Sequence, residues 1–135
     1  MPRSAGTTSF FCADNTKDYP LSEAVTTPVL ADAVNAELED WGPLEEATGH
    51  PMATHGVELW AQGTASAGIW QCAPGPSHWV LDINEVIYLV AGRMTVTPDG
   101  GESREIGVGD IAVFPLGWSG TWEIHETVRK IYSMF

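Results

Sequence analysis

The sequence has little positive charge and no long apolar run. Six lysines and arginines stand against 18 acidic residues, which gives a formal net charge of −12 over 135 residues. A field of this sign repels phosphate backbones and anionic membranes, so it argues against nucleic acid as a partner. No apolar run approaches the ~20 residues of a membrane helix, and the first residues lack the apolar core of a secretory signal. We therefore expect a cytoplasmic protein without a membrane partner.

Cysteine is scarce as well. Cys12 and Cys72 are far apart in the sequence and lack the spacing of metal ligands. They could form one disulfide bond, but the favoured interpretation is two free thiols in a reducing compartment. The length of the chain is typical of one domain that buries its own core.

Helical patterning is confined to one short segment. Residues 1–55 carry prolines and acids without sustained alternation, and we interpret them as an N-terminal arm. Leu30, Val34 and Leu38 lie four residues apart, which predicts a short helix over residues 29–38. Pro43 follows it and cannot continue a helix.

Short strands separated by glycine and proline fill the rest of the chain. They are predicted at residues 57–60, 68–72, 85–90, 93–97, 111–114, 121–124 and 128–132. Turn signals stand at residues 74–76 and 99–101. This pattern predicts an all-β sandwich or barrel domain over residues 56–135.

Two motifs frame this barrel. Six residues separate Glu85 from Gly92, and five residues separate Gly109 from the Pro-Leu-Gly of residues 115–117. These motifs resemble those of the cupin superfamily. The fold so implied is a double-stranded β-helix, the RmlC-like jelly-roll barrel. Further phrases are similar to the small single-domain branch of the ureidoglycine aminohydrolase and ethanolamine-utilisation cupins; they lie at residues 68–72, 117–123 and 128–132. The resemblance implies a site in the barrel lumen and pairing into a homodimer.

The resemblance also implies a divalent metal, held by His-x-His, the motif glutamate and a third histidine. Aligned on Glu85, the first histidine position is His78, the second is Val80 and the third is Gly120. His78 and Glu85 thus remain as an incomplete ligand set, whereas protein metal sites use at least three ligands. The missing side chain at Gly120 predicts free space in the lumen.

The resemblance places the Glu85 side of its strand in the barrel lumen, and alternation along the strands indicates further candidate catalytic residues. With Glu85 in the lumen, its carboxylate would act as a general acid or base, or an ion pair would neutralise it. Lys130 shares a face with Val128 and Tyr132. It either faces inward as the partner of Glu85 or is solvated on the outer surface. Glu85, Lys130 and Tyr132 together would form an acid–base set.

Trp70 and Trp122 are candidate pocket walls, and His78 is predicted on a turn at the lumen entrance; these three are the candidate substrate-binding residues. The expected function is a small-molecule enzyme of hydrolase, lyase or isomerase type that acts on a small polar metabolite. The resemblance implies an amino- or ureido-bearing acid. The alternatives are a non-catalytic small-ligand-binding cupin and an accessory dimerisation module.

Overall fold

The computed structural model describes residues 25–135, which form eight strands and no helix. The all-β architecture predicted from the sequence is confirmed. The strands are β1 (Glu39–Pro43), β2 (Ala53–Gln62), β3 (Ala65–Cys72), β4 (Gly75–Val80), β5 (Glu85–Pro98), β6 (Arg104–Gly107), β7 (Ile111–Phe114) and β8 (Ser119–Met134). Nowhere in this range is there a helix of the length and hydropathy needed to cross a membrane.

The strands form one antiparallel sheet that folds over on itself. Its order is β1-β2-β3-β8-β5-β6, with β4 also paired to β8 and β7 also paired to β5. The long strands β5 and β8 run side by side and contribute to both halves. In one half they carry β3 and β7, and in the other they carry β4 and β6. The two halves enclose a lumen that side chains fill.

The bend in β5 lies at Gly92. The register between β5 and β8 shifts on both sides of this residue, between Leu89 and Met94. Gly92 has a φ of +85°, and a Cβ there would lie 2.2 Å from the carbonyl oxygen of Thr127. Only glycine tolerates both conditions. The strands predicted at 85–90 and 93–97 are therefore halves of one bent strand, and those at 121–124 and 128–132 are likewise parts of β8.

Side chains of period two build the core between the two halves. In β5, Glu85, Ile87 and Leu89 are buried while Tyr88 is exposed, as alternation predicts. The buried cluster is apolar and consists of Met52, Cys72, Ile87, Leu89, Met94, Val96, Ile106, Phe114, Trp122, Ile124, Val128 and Tyr132. Two ionised side chains, those of Glu85 and Lys130, are buried beside it.

The helix predicted over residues 29–38 is wrong. A single turn at residues 33–35 takes its place. The Arg129 guanidinium donates hydrogen bonds to the carbonyl oxygens of Ala33, Val34 and Ala36, at 2.8 to 3.0 Å. These carbonyls would otherwise be acceptors within a helix, and a helix this short is marginal without tertiary contacts.

The sheet begins within the predicted arm. Strand β1 pairs antiparallel with β2, for example at Glu39 and Gly56, and β2 itself starts at Ala53. Met52 is fully buried in the core cluster. Residues 39–55 are thus integral to the barrel wall.

Candidate functional site

Two opposite charges meet inside the barrel. Glu85 opens β5, Lys130 lies in the second half of β8, and each residue is only 5% exposed. The Lys130 Nζ donates a hydrogen bond to the Glu85 Oε2 at 2.5 Å. Lys130 is level with Leu89 in the sheet, so its long side chain runs back along the lumen to reach Glu85. Of the two orientations left open for Lys130, the structure shows the inward one.

Aromatic rings surround the ammonium group. The Lys130 Nζ lies 4.5 Å from the ring centre of Trp70, 4.7 Å from that of Trp122 and 6.0 Å from that of Tyr132. A cation within about 6 Å of such a ring face is attracted by the ring quadrupole. The carboxylate and the rings together offset the cost of removing the ammonium from water.

A cavity of 190 Å³ opens beside this ion pair. Its lining consists of Trp41, Trp70, Trp79, Glu85, Lys130, Tyr132 and Met134. Trp70 and Trp79 meet edge to face, with ring centres 6.3 Å apart. The cavity is therefore aromatic, with one carboxylate and one ammonium as its charged groups.

Two glycines let aromatic rings lie against the backbone around the cavity. A Cβ at Gly56 would come within 2.4 Å of the Trp41 ring, and a Cβ at Gly68 would come within 2.8 Å of the Tyr132 hydroxyl. Trp41 belongs to β1 and packs on Gly56 of β2. The edge strand thus supplies one wall of the cavity.

Burial changes the acidity of two groups near Lys130. Burial raises the pKa of Tyr132, and the negative charges of Glu58 and Glu85 raise it further. The phenol therefore keeps its proton at neutral pH and is a hydrogen-bond donor on the cavity wall. Burial also raises the pKa of the Cys72 thiol to about 11, against the opposing charge of Lys130. Such a thiol is unreactive at neutral pH.

The predicted site residues separate into three groups. Glu85, Lys130, Tyr132 and Trp70 line the cavity together. Trp122 lies in the core beneath the ammonium and is not part of the lining. Its indole nitrogen is buried without a hydrogen-bond partner among residues 25–135.

His78 lies on the opposite side of the sheet from the lumen. Residues 75–80 form β4 instead of the predicted turn, and Ser77 and Trp79 take the inward positions. His78 and Val80 are exposed between and beyond them. The His78 Nε2 lies 3.4 Å from the Asp99 Oδ1 on the outer surface. Because successive residues of a strand face opposite sides of the sheet, His78 faces outward between the inward Ser77 and Trp79. The prediction that His78 lies at the lumen entrance is therefore wrong.

This residue set does not fit a cupin-type divalent metal. His78 points away from Glu85, whose carboxylate already binds an ammonium. The space expected at Gly120 is filled, because a Cβ there would lie 2.3 Å from the Thr97 carbonyl oxygen and 2.6 Å from the Trp118 ring. In the part of the chain that the structure describes, no group of three or more His, Cys, Asp or Glu side chains could hold a metal ion.

Three lining residues escaped sequence analysis. Trp79 could have been found from the sequence, since Ser77 and Trp79 alternate with their neighbours as the inward residues of a strand do. The proline at position 76 suggests a turn instead. The place of Trp41 depends on β1 pairing with β2, and that of Met134 on β8 pairing with β5 and β3. The pairing of one strand with another leaves no pattern in the sequence of either strand.

The bent antiparallel barrel, with an acid at the start of β5 and an aromatic lumen, defines a small cupin of the double-stranded β-helix type. Residues 59–132 match the family model of the EutQ-like cupin domain, and the chain belongs to that family. A search of the curated proteins finds no sequence that matches this chain.

Solved structures share this fold. A protein of unknown function of the DUF861 family from Pseudomonas syringae pv. tomato is 21% identical, with a TM-score of 0.69 over 76% of this chain. This chain spans only 46% of that protein's length. A putative ethanolamine utilization protein q from Salmonella typhimurium is 23% identical, with a TM-score of 0.59 over 70% of this chain and 76% of that one. An RmlC-like cupin from Shewanella frigidimarina is 17% identical, with a TM-score of 0.55 over 74% and 83%.

Proposed function

We propose that this barrel is a small-molecule enzyme that binds a small polar metabolite in its lumenal cavity and transfers a proton to or from it. The observation that carries this proposal is the buried ion pair of Glu85 and Lys130, both of which line a cavity of 190 Å³. A cavity with a few convergent polar groups is the usual form of a small-molecule site. The reaction is of hydrolase, lyase or isomerase type.

Each lining group has a chemical role in this proposal. Glu85 accepts the proton as general base and returns it as general acid. Lys130 keeps the buried carboxylate charge compensated. Tyr132, whose pKa burial raises, donates a hydrogen bond from the wall. Trp70 and Trp79 present ring surface to the ligand.

A purely structural role explains this ion pair less well. Buried ion pairs add little net stability, because desolvation cancels most of the attraction. Apolar residues of similar volume often replace them at no cost. Charges placed on a cavity wall, within reach of a ligand, are instead characteristic of functional sites.

A ligand screen with a matched pair of variants tests the proposal. Small polar metabolites are screened for binding by NMR, and each compound that binds is followed for conversion. We expect Glu85→Gln to lower the conversion rate by roughly 100-fold or more, as loss of a general base does. Glu126→Gln, which neutralises an exposed carboxylate, should convert at the rate of the unmodified protein. Absence of any ligand in the cavity would contradict the proposal.

A non-catalytic binding module is the second candidate. It is favoured by the walls, since Trp41, Trp70 and Trp79 supply ring surface and the charge of Lys130 is already matched by Glu85. In that case Glu85→Gln changes only the dissociation constant, and no bound compound is converted.

We also infer that the protein is a homodimer. Tyr88, Ile111, Val113 and Ile131 are exposed neighbours on the outer face of β5, β7 and β8. Two copies that each carry a charge of −12 repel one another, so contact is favoured where the surface is uncharged. The buried thiol of Cys72 is consistent with the cytoplasmic location expected from the sequence.

A further inference from the structure

The cation beside Glu85 belongs to the chain itself. In the metal-binding cupins that the sequence resembles, a glutamate at this place acts together with histidines. Here the outward His78 and the filled space at Gly120 remove those histidines. The Lys130 ammonium lies 2.5 Å from the carboxylate instead, between two indole faces. The site therefore has a fixed positive charge without a metal ligand set.

We propose that Lys130 stabilises the oxygen of a small neutral carbonyl compound while Glu85 removes a proton from the carbon next to that carbonyl. This inference rests on the proposed function and narrows it to a substrate class and a reaction that needs no metal. Lys130 has three N–H donors, and one of them is used by Glu85. A second N–H of Lys130 would turn from an aromatic ring to the substrate oxygen and donate a hydrogen bond to it, which is a stronger contact than the one it replaces.

Conservation of charge inside the cavity favours a neutral substrate. In the resting protein the ammonium and the carboxylate sum to zero. When Glu85 takes up the proton, the negative charge moves to the substrate oxygen and remains paired with Lys130. An anionic substrate would bring a charge without a partner into an aromatic cavity, which is costly. Donors aimed at the oxygen that becomes negative supply the main electrostatic contribution to such a step.

The size and walls of the cavity favour a small planar compound. At about 30 Å³ for each water-sized group, 190 Å³ holds roughly six such groups. Trp70 and Trp79 both line the cavity and pack edge to face against each other, at an interplanar angle of 79°. A carbonyl compound and its enolate are both planar at the reacting atoms, so either can lie flat against an indole ring of the wall.

The step balances without an oxidant or reductant. The carbon–hydrogen bond breaks, its proton goes to the Glu85 carboxylate, and its electron pair forms the enolate. Lys130 remains an ammonium throughout. Once the proton on Glu85 has been replaced by a deuteron from the solvent, its return to the same carbon gives hydrogen exchange. In an α-hydroxy carbonyl compound, transfer of the hydroxyl proton to the first oxygen and of the Glu85 proton to the former carbonyl carbon gives an isomer.

Deuterium exchange tests this inference. The protein is dialysed against a chelator and incubated in deuterated water with hydroxyacetone, butanone or cyclohexanone, each beside its alcohol analogue and with pyruvate as an anionic comparison. Proton NMR follows the hydrogens next to the carbonyl. We expect at least one neutral carbonyl compound to exchange tenfold faster than in buffer, pyruvate and the alcohols not to, and added zinc or manganese to change nothing.

Variants assign the effect to the ion pair. Lys130→Met and Glu85→Gln should each lower the exchange rate about 100-fold, while Arg93→Met, which removes an exposed cation, should not. If Lys130→Met does not fold, the double variant Glu85→Gln/Lys130→Met removes both charges and should be equally inactive. Exchange that requires added metal, or binding of metabolites without exchange of any carbonyl compound, overturns this inference and leaves the proposed function standing. Absence of binding to the cavity overturns both.

Discussion

Removing one partner of the buried ion pair of Glu85 and Lys130 should destabilise the protein more than removing one partner of an exposed pair. Lys130→Met leaves a buried carboxylate uncompensated, and we expect the free energy of unfolding to fall by about 3–5 kcal/mol. The double variant Glu85→Leu/Lys130→Met should recover most of that loss, since both charges are gone. Urea denaturation of the single and double variants measures this coupling.

An exposed ion pair supplies the control. Arg93 and Glu126 lie 3.4 Å apart on the surface, and Arg93→Met should cost no more than about 1 kcal/mol. Equal losses for the buried and the exposed variants would show that Lys130 is not the compensating charge of Glu85.

Because of Cys72, the free energy of unfolding should change with pH in the alkaline range. Burial raises its pKa from 9.0 to about 11. Between these values the folded protein holds a proton that the unfolded chain releases, so the free energy of unfolding falls as the pH rises. The full contribution is present below pH 9, and two units correspond to a loss of about 3 kcal/mol. Tyr132, whose pKa burial also raises from 10.0, adds to the decline at higher pH. Parallel urea denaturation of Cys72→Val should therefore lack the decline between pH 9 and 10, and identical pH profiles would contradict the assignment.

Single residues also show how far a sequence can place a site. The motif match placed Glu85 in the lumen. Period two put Lys130 and Tyr132 on one face of their strand but left open whether that face points inward. The same rule failed at His78, because Pro76 disguised the strand and with it the alternation. Contact between Glu85 and Lys130 could be anticipated only as an alternative, since it depends on the pairing of β5 with β8.

The segment just before β1 is bound by hydrogen bonds from Arg129, near the end of the chain. Arg129 of β8 donates to three carbonyls just before β1 and to Gln71 of β3. We expect Arg129→Gln to loosen β1, so that the amides of β1 paired with β2 exchange with deuterium at least tenfold faster. Because Trp41 lies in β1, binding of ligands to the cavity should weaken as well.

Amide exchange in β5 is the internal comparison for this variant, and it should change little. Arg93→Gln is the matched substitution on an exposed arginine. Equal protection of β1 in Arg129→Gln and in the unmodified protein would show that β1 is held by its pairing with β2 alone.

The elements themselves divide into those with local signals and those without. Glycines and prolines marked most strand ends from Val57 onward, and the two motifs identified the barrel. Residues 29–38 have a weak helical periodicity but form no helix, because their carbonyl groups accept hydrogen bonds from Arg129 instead. Strand β4 was missed because its partner β8 lies far along the chain. Strand β1 was missed because residues 39–43 lack the sustained alternation that marks a strand.

The whole molecule combines a net charge of −12 with an apolar patch, formed by the exposed side chains of Tyr88, Ile111, Val113 and Ile131 on the outer face of β5, β7 and β8. If that face joins two copies, light scattering after gel filtration should give twice the mass of 14.6 kDa at micromolar concentration. Ile111→Lys/Val113→Lys places two charges on the face, whose side chains are now 69% and 57% exposed, and should yield monomers. Val80→Lys, on the outer surface of β4, should leave the mass unchanged. A monomer in the unmodified protein would refute the dimer.

The cluster of Trp70, Trp79 and Trp122 gives the protein an optical signal of its own. Their ring centres are 4.8 to 6.3 Å apart, close enough for the electronic transitions of the indoles to couple. Circular dichroism in the ultraviolet should show a paired positive and negative band from this coupling. A compound that enters beside Lys130 perturbs these bands directly, so occupancy can be read without a dye or label.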